Sequence, residues 1–162
     1  MIDVMRLDER LIHGQVAVWT KGASFDTLLV VDDESANDKF LTNTLYMAAP
    51  SNLKTFVMTN EAALNVLCDP RCKTRHVFVV VKTIDTLLNI AQKAPDITEI
   101  VVSNYGRMVT SSKDRKPYTS NMFLDEDEAA KLKTLTTLGI PCYEQMTASG
   151  PKTPLENILK NA

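Results

Sequence analysis

Along the chain, short apolar runs alternate with longer segments whose apolar positions recur every three or four residues. The runs Ile2 to Asp8, Thr27 to Val31, Leu53 to Met58, His76 to Val81, Glu99 to Val102 and Pro141 to Gln145 read as strands. Leu28-Leu29-Val30-Val31 and Val77-Phe78-Val79-Val80-Val81 are apolar on both faces, the pattern of strands covered by helices on both sides. Helices are predicted between them. One covers Gly14 to Lys21. Asn37 or Asp38 caps another that carries Phe40, Leu41, Leu45 and Ala48 and stops at Pro50. Thr59 or Asn60 caps a third, with Leu64 and Leu67 inward, and Thr83 caps a fourth, with Ile84, Leu87, Leu88 and Ala91 inward, closed by Pro95. Asp125 and Glu128 form a capping-box pattern before Ala129, Leu132 and Leu135, with Gly139 and Pro141 ending that helix. A short helix follows Pro154. The alternation predicts an α/β fold: three layers, a doubly wound, mostly parallel sheet with helices on both faces. Ser103 to Asn121 breaks the pattern and is expected to form a surface hairpin or loop, mobile at Ser111 to Lys116.

With 162 residues and no repeat or linker, one domain over residues 1–162 is the simplest organisation. The 44% hydrophobic and 23% charged fractions are ordinary for a soluble globular chain. A net charge of −2 gives no basic excess, so nucleic acid is not an expected partner. The longest apolar runs are too short to span a bilayer, and charges in MIDVMRLDER stand where a signal peptide needs an apolar core. A cytoplasmic location follows. Cys68 and Cys72 lie four apart, but no further Cys/His pair completes a metal site. All three cysteines read as buried or incidental thiols.

The chemistry concentrates in one turn. His13, one of only two histidines, lies between the first strand and the helix from Gly14. In an open α/β sheet that position is outside a strand's carboxyl end, where ligand chemistry gathers. The start of the helix offers free N–H groups around Gly14 and Gln15, Gly14 lets the backbone approach closely, and Arg10 is placed to pair with two oxygens of an anion. Asp8 either orients the imidazole, holds Arg10, or only shapes the turn. Arg6 is expected to pair with Asp32 or Asp33 rather than to contact phosphate. Ile12, Val16 and Trp19 form the helix's buried stripe, and His76 has a structural role. Lys82-Thr83 and Thr59-Asn60 lie at strand ends on the same edge as His13, with capping the simpler account of them.

The string Met5-Arg6-Leu7-Asp8-Glu9-Arg10-Leu11-Ile12-His13-Gly14-Gln15-Val16 resembles the signature of the IIB subunit of the mannose/fructose/sorbose class of bacterial phosphoenolpyruvate-dependent sugar phosphotransferase systems. Val30 to Asp38, then Met47-Ala48-Ala49-Pro50, are similar to a second block of that family, and Asn104-Tyr105-Gly106-Arg107-Met108 falls where the family has a Gly-Gly-Met turn. The likeness runs from about residue 2 to the C-terminus. It implies the same three-layer fold, His13 as the phosphorylated residue and Arg10 as its phosphate partner. It also implies a phosphocarrier that accepts phosphate from a phosphohistidine of a IIA protein or domain. The phosphate then passes to a sugar bound by membrane IIC/IID subunits, with which the chain associates peripherally. No metal, nucleotide or organic cofactor is implied, a homo-oligomer is possible, and the sugar is not readable. Arg107 departs from the family's second glycine: it adds a cation to the rim of the site, contacts a partner, or is only a solvated loop residue, the last being the simplest account. The rival reading is a receiver-like regulatory phospho-acceptor domain using Asp32-Asp33, but its acceptor position holds Thr59-Asn60-Glu61 instead. A nucleotide-binding domain lacks its Gly-rich loop.

Overall fold

The structure is a computed structural model that describes residues 1–21, 24–108 and 114–160. Among these, seven strands form one sheet: β1 (Ile2–Asp8), β2 (Thr27–Val31), β3 (Lys54–Met58), β4 (Val77–Val81), β5 (Ile100–Asn104), β8 (Cys142–Glu144) and β9 (Thr153–Pro154). Their spatial order is β3-β2-β4-β1-β5-β8-β9. All neighbours are parallel except β9, which pairs antiparallel with β8. A separate ribbon pairs β6 (Lys116–Pro117) with β7 (Phe123–Leu124).

The two faces are covered as the apolar pattern predicts. Helices α1 (Gly14–Thr20) and α3 (Lys39–Ala48) pack Val16, Trp19 and Leu45 against Leu28, Val30, Phe78 and Val80. Helices α4 (Asn60–Leu67), α5 (Ile84–Lys93), α6 (Glu126–Thr136) and α7 (Leu155–Lys160) cover the other face, over Leu29, Val31, Val79, Val81 and Val102. Every residue of β4 is buried, and each such aliphatic side chain contributes about 1.5–3 kcal/mol. The opposite directions of the crossovers explain the division. Chain order moves leftward from β1 to β2 and β3, then rightward through β4 to β5, so right-handed connections fall on opposite faces. β1 therefore lies at the point where the winding diverges, flanked by β4 and β5, and its carboxyl end opens at that crevice.

The caps stand where the sequence puts them: Asp38 before α3, Thr59 before α4, Thr83 before α5, and a complete Asp125/Glu128 capping box before α6. Three features differ from expectation. A short helix, α2 (Asp33–Asn37), precedes α3 and is capped by Asp32. Of the α3 apolar positions only Leu45 is buried, while Phe40 is 77% and Met47 88% exposed. β9 adds an antiparallel edge built from two residues. The expected excursion after β5 is present as the β6–β7 ribbon, and part of its predicted mobile stretch, residues 111–113, lies outside the described residues. Cys72 is buried and Cys68 exposed, while burial raises the half-buried Cys142 thiol to about 11. His76 accepts a structural role at the amino end of the sheet, where its Nδ1 lies 2.9 Å from Asp3 Oδ2 and its backbone N–H donates to Asp26.

Candidate functional site

β1 carries alternating side chains up the centre of the sheet and delivers Asp8 to its carboxyl end, opposite Asn104 of β5 in register. The chain then reverses. Leu11 N–H donates to the Asp8 carbonyl, and Leu11 adopts a left-handed backbone with φ 56°. That conformation costs an L-residue roughly 1–2 kcal/mol, which burial of the Leu11 side chain offsets. The reversal returns His13 above Asp8 and makes it the N-cap of α1. Ile12, Val16 and Trp19 form the buried stripe that anchors this short helix to the sheet.

The His13 side chain is half-buried, with 18% of its surface exposed, at the same sheet edge as the end of β2. Its Nε2 is 2.8 Å from Asp8 Oδ2, and its Nδ1 accepts the backbone N–H of Gln15 at 3.3 Å. Asp8 is fully buried and gathers donors from four directions. Oδ2 accepts from Arg6 Nη2 at 2.8 Å, Arg6 Nε at 3.3 Å, Arg10 Nη2 at 3.3 Å and Asn104 Nδ2 at 3.1 Å. Oδ1 accepts the Arg10 backbone N–H at 3.1 Å and Arg10 Nε at 3.2 Å. Burial alone would raise the Asp8 carboxyl. The hydrogen bonds from His13, Arg10 and Arg6, with the charge of Arg6, outweigh it and hold Asp8 far below the usual carboxylate range. Asp8 is therefore ionised, and the ring nitrogen facing it carries the proton. The lone pair is left on Nδ1, toward the start of α1.

Of the three roles open to Asp8 in the sequence, the geometry unites all: it orients His13, holds Arg10 and closes the turn. Arg10 keeps its head at the surface, 35% exposed, and donates also to Gln15 Oε1 at 2.9 Å. Gln15 thus touches the site twice, by its backbone to His13 and by its side chain to Arg10. Gly14 is exposed, and a Cβ there would meet nothing within 4 Å. Openness toward solvent, rather than tight packing, is its local character.

Arg6 corrects its sequence expectation. It does not reach Asp32 or Asp33; it is fully buried, bonded to Asp8 and, through Nη1, to the Met146 carbonyl at 3.1 Å, with its guanidinium 5.0 Å from the Trp19 ring centre. Burial pulls its pKa below the ordinary arginine value, and Asp8 opposes that shift. Asp32 instead caps α2 through Ser35, and Asp33 accepts the Asn60 N–H. Thr59 and Thr83 cap their helices, and Lys82 pairs with Glu34 at 3.1 Å, so the neighbouring strand ends serve local structure. Arg107 is not merely solvated. Its Nη2 donates to the Ser120 carbonyl at 2.6 Å, and its guanidinium sits 5.1 Å from the Phe123 ring centre.

Two residues beside the site were not singled out in the sequence. Asn104 reaches Asp8 only because β5 neighbours β1, and strand order is not written in a local pattern. Glu9 is 4% exposed and accepts the backbone N–H groups of Gly106, Arg107 and Met108 at 3.2, 3.0 and 3.0 Å. Like Asn104, it carries no local sequence signal, because its partners lie 97–99 residues away.

The sequence profile described as "PTS system sorbose subfamily IIB component" matches residues 2–162. A probable phosphotransferase enzyme IIB component of Streptococcus pyogenes serotype M6 is 33% identical over 162 residues, covering 98% of this chain and 99% of the relative. The mannose-specific EIIAB component of Escherichia coli K12 is 26% identical over 161 residues, which are 98% of this chain but 48% of that longer protein. Among solved structures, the IIBSor domain of the sorbose permease from Klebsiella pneumoniae superimposes with a TM-score of 0.88 at 25% identity, covering 99% of this chain and 97% of that one. These likenesses bear out the resemblance carried by the His13 motif and leave the receiver-like alternative unfavoured. The chain belongs to the sorbose-subfamily IIB components of the phosphotransferase system, a family of sugar-specific phosphocarrier components with a transferase role.

Proposed function

We propose that His13 is the phosphoryl acceptor of this IIB component and that Nδ1 is the nitrogen phosphorylated. The observation that carries this reading is the pairing of Nε2 with the ionised Asp8, which leaves the Nδ1 lone pair facing the start of α1. In the accepting step the Nδ1 lone pair attacks phosphorus and the P–N bond to the donor histidine breaks, its electron pair returning to the donor ring. The positive charge that develops on the His13 ring is met by Asp8 through Nε2–H. The Gln15 N–H, which donates to Nδ1 in the free protein, is released when the N–P bond takes up that lone pair and turns to a phosphoryl oxygen. Arg10 is the surface cation able to meet two phosphoryl oxygens, with Arg6 keeping Asp8 charged behind it. In the passing step a sugar hydroxyl oxygen attacks phosphorus, Nδ1 recovers its pair, and the hydroxyl proton leaves to solvent or permease.

The donor is a phosphohistidine of a IIA protein or domain; the EIIAB relative, about half of which this chain matches, supports a partner of that kind. The acceptor is a sugar held by membrane IIC/IID subunits. The chain meets them as a peripheral partner; among the described residues no helix is long and apolar enough to cross a membrane. Labelling with a phosphorylated IIA protein tests the assignment. His13→Ala should take up no acid-labile, base-stable phosphate, while His76→Ala should label like wild type. Undiminished acid-labile labelling of His13→Ala refutes it.

A further inference from the structure

Glu9 spends its whole carboxylate on backbone. Its two oxygens accept three successive N–H groups, Gly106 on Oε2 and Arg107 and Met108 on Oε1. Among the described residues no basic side chain pairs with it. Consecutive N–H groups converging on one anion form a nest, and here the protein fills the nest with its own side chain. The loop is shaped for this. Gly106 has φ +95°, and a Cβ there would come within 2.0 Å of the Phe123 carbonyl oxygen. From the far side Arg107 lies over Phe123, and Tyr105 donates its hydroxyl to Glu128, which also pairs with Arg115.

The held segment is the continuation of β5, two residues beyond the Asn104 that touches Asp8, and it displays Met108 with 61% of its surface exposed. A protein donor must bring its phosphohistidine to within bonding distance of a His13 that is only 18% exposed. Its surface therefore presses on whatever rims that imidazole. Because Glu9 lies between Asp8 and Arg10 in the chain, its grip ties residues 106–108 to the turn that carries the site. It makes no bond to His13, Arg10 or the Asp8 side chain among the described contacts, so its effect falls on the rim and not on the nucleophile.

Resting on the reading of His13 as acceptor, we propose that Glu9 is a positioning residue: it fixes residues 106–108 as a rigid rim, with Met108 outward, on which the phosphohistidine-bearing donor protein is recognised. IIA proteins of the mannose and sorbose class are screened for one that labels the wild-type chain. Single-turnover transfer from it is then measured across donor concentrations, beside labelling by phosphoramidate, a small donor that needs no docking surface. Glu9→Gln presents N–H to the nest in place of one oxygen. It should raise the half-saturating donor concentration at least tenfold while the maximal rate and phosphoramidate labelling stay within twofold. Hydrogen exchange should quicken at the amides of residues 106–108 and not in β1 or β5. Met108→Ala, which removes only an exposed side chain, should raise half-saturation at least fivefold, and it decides the matter if Glu9→Gln fails to fold. Unchanged half-saturation in either folded variant, or equal loss with both donors, overturns the proposal. Failure of wild type to label with any IIA protein, or labelling that survives His13→Ala, overturns the acceptor assignment as well.

Discussion

Replacing Asp8 with asparagine keeps the shape of the carboxylate and removes its charge. Two separable losses follow. The first is stability. Arg6 is fully buried, and stripping one partner from a buried ion pair costs about 3–5 kcal/mol. Because Arg6 keeps the Met146 carbonyl and the Trp19 face, the lower end, about 3 kcal/mol, is expected. For a chain of this size that lowers Tm by roughly 6–12 °C. The second loss is in transfer. The Nε2–H bond at 2.8 Å changes from charge-assisted to neutral just as the ring becomes cationic. A charge-assisted bond contributes roughly 1.5–3 kcal/mol and a neutral one roughly 0.5–1.5, so about 1–1.5 kcal/mol is lost and the rate should fall about 5- to 13-fold. Thermal melts and rapid-quench transfer from a phosphorylated IIA protein measure the two. Combining Asp8→Asn with Arg6→Met removes both members of the pair; part of the stability should return while transfer stays slow. Wild-type Tm together with a wild-type rate in Asp8→Asn would refute both the buried-pair and the orienting roles. A double variant that recovers its rate would show that Asp8 acts on transfer only through the fold.

Arg10→Lys keeps the charge and loses the planar fork, so transfer should slow by about 10- to 1000-fold, that is roughly 1.4–4 kcal/mol, with Tm nearly unchanged; equal rates in rapid-quench measurements would dismiss the fork. The depressed Asp8 carboxyl binds its proton more readily unfolded than folded, so its stabilisation is complete above the unfolded value of about 3.9 and fades as pH falls toward the lower folded value. Urea melts between pH 6 and pH 2 should therefore show a steeper acid limb for wild type than for Asp8→Asn. Gly106→Ala meets the Phe123 carbonyl oxygen and a positive φ together, and should lower Tm by several degrees and speed amide exchange at residues 106–108; a neutral result would show that the loop relaxes freely.

The elements rich in β-branched residues were legible because their composition leaves little choice: Val77 to Val81 can only be a strand buried on both faces. The caps were legible for a local reason, a side chain two or three residues from the N–H it accepts. α2 was not, because a five-residue helix shows no apolar period, and β9 was not, because Thr153–Pro154 carries no alternation at all. Phe40 and Met47 show the limit of periodicity: it predicts a face, but of that face only Leu45 is buried in the structure. In the candidate site, the turn that brings His13 and Arg10 together around Asp8 was legible from a compact motif. Arg6 was assigned to the wrong carboxylates because alternation gives the face a strand residue points to and not the partner it finds there. Glu9 and Asn104 act across nearly a hundred residues of sequence, a distance that only strand order closes.

One oxygen, Asp8 Oδ2, accepts from Arg6, Arg10, His13 and Asn104. An acceptor shared so widely polarises all its donors together, and a change at one is felt by the rest. The Asn104 side-chain amide is the uncharged, non-reacting member of that set. Its two N–H resonances are thus a built-in gauge of the electron density on Oδ2. If His13 is the acceptor proposed above, its uptake of a phosphoryl group draws on that oxygen, and the Asn104 signal should move without any label having been placed at the site. Loading and unloading of the carrier then become observable at equilibrium, in the unmodified chain, with its partners present.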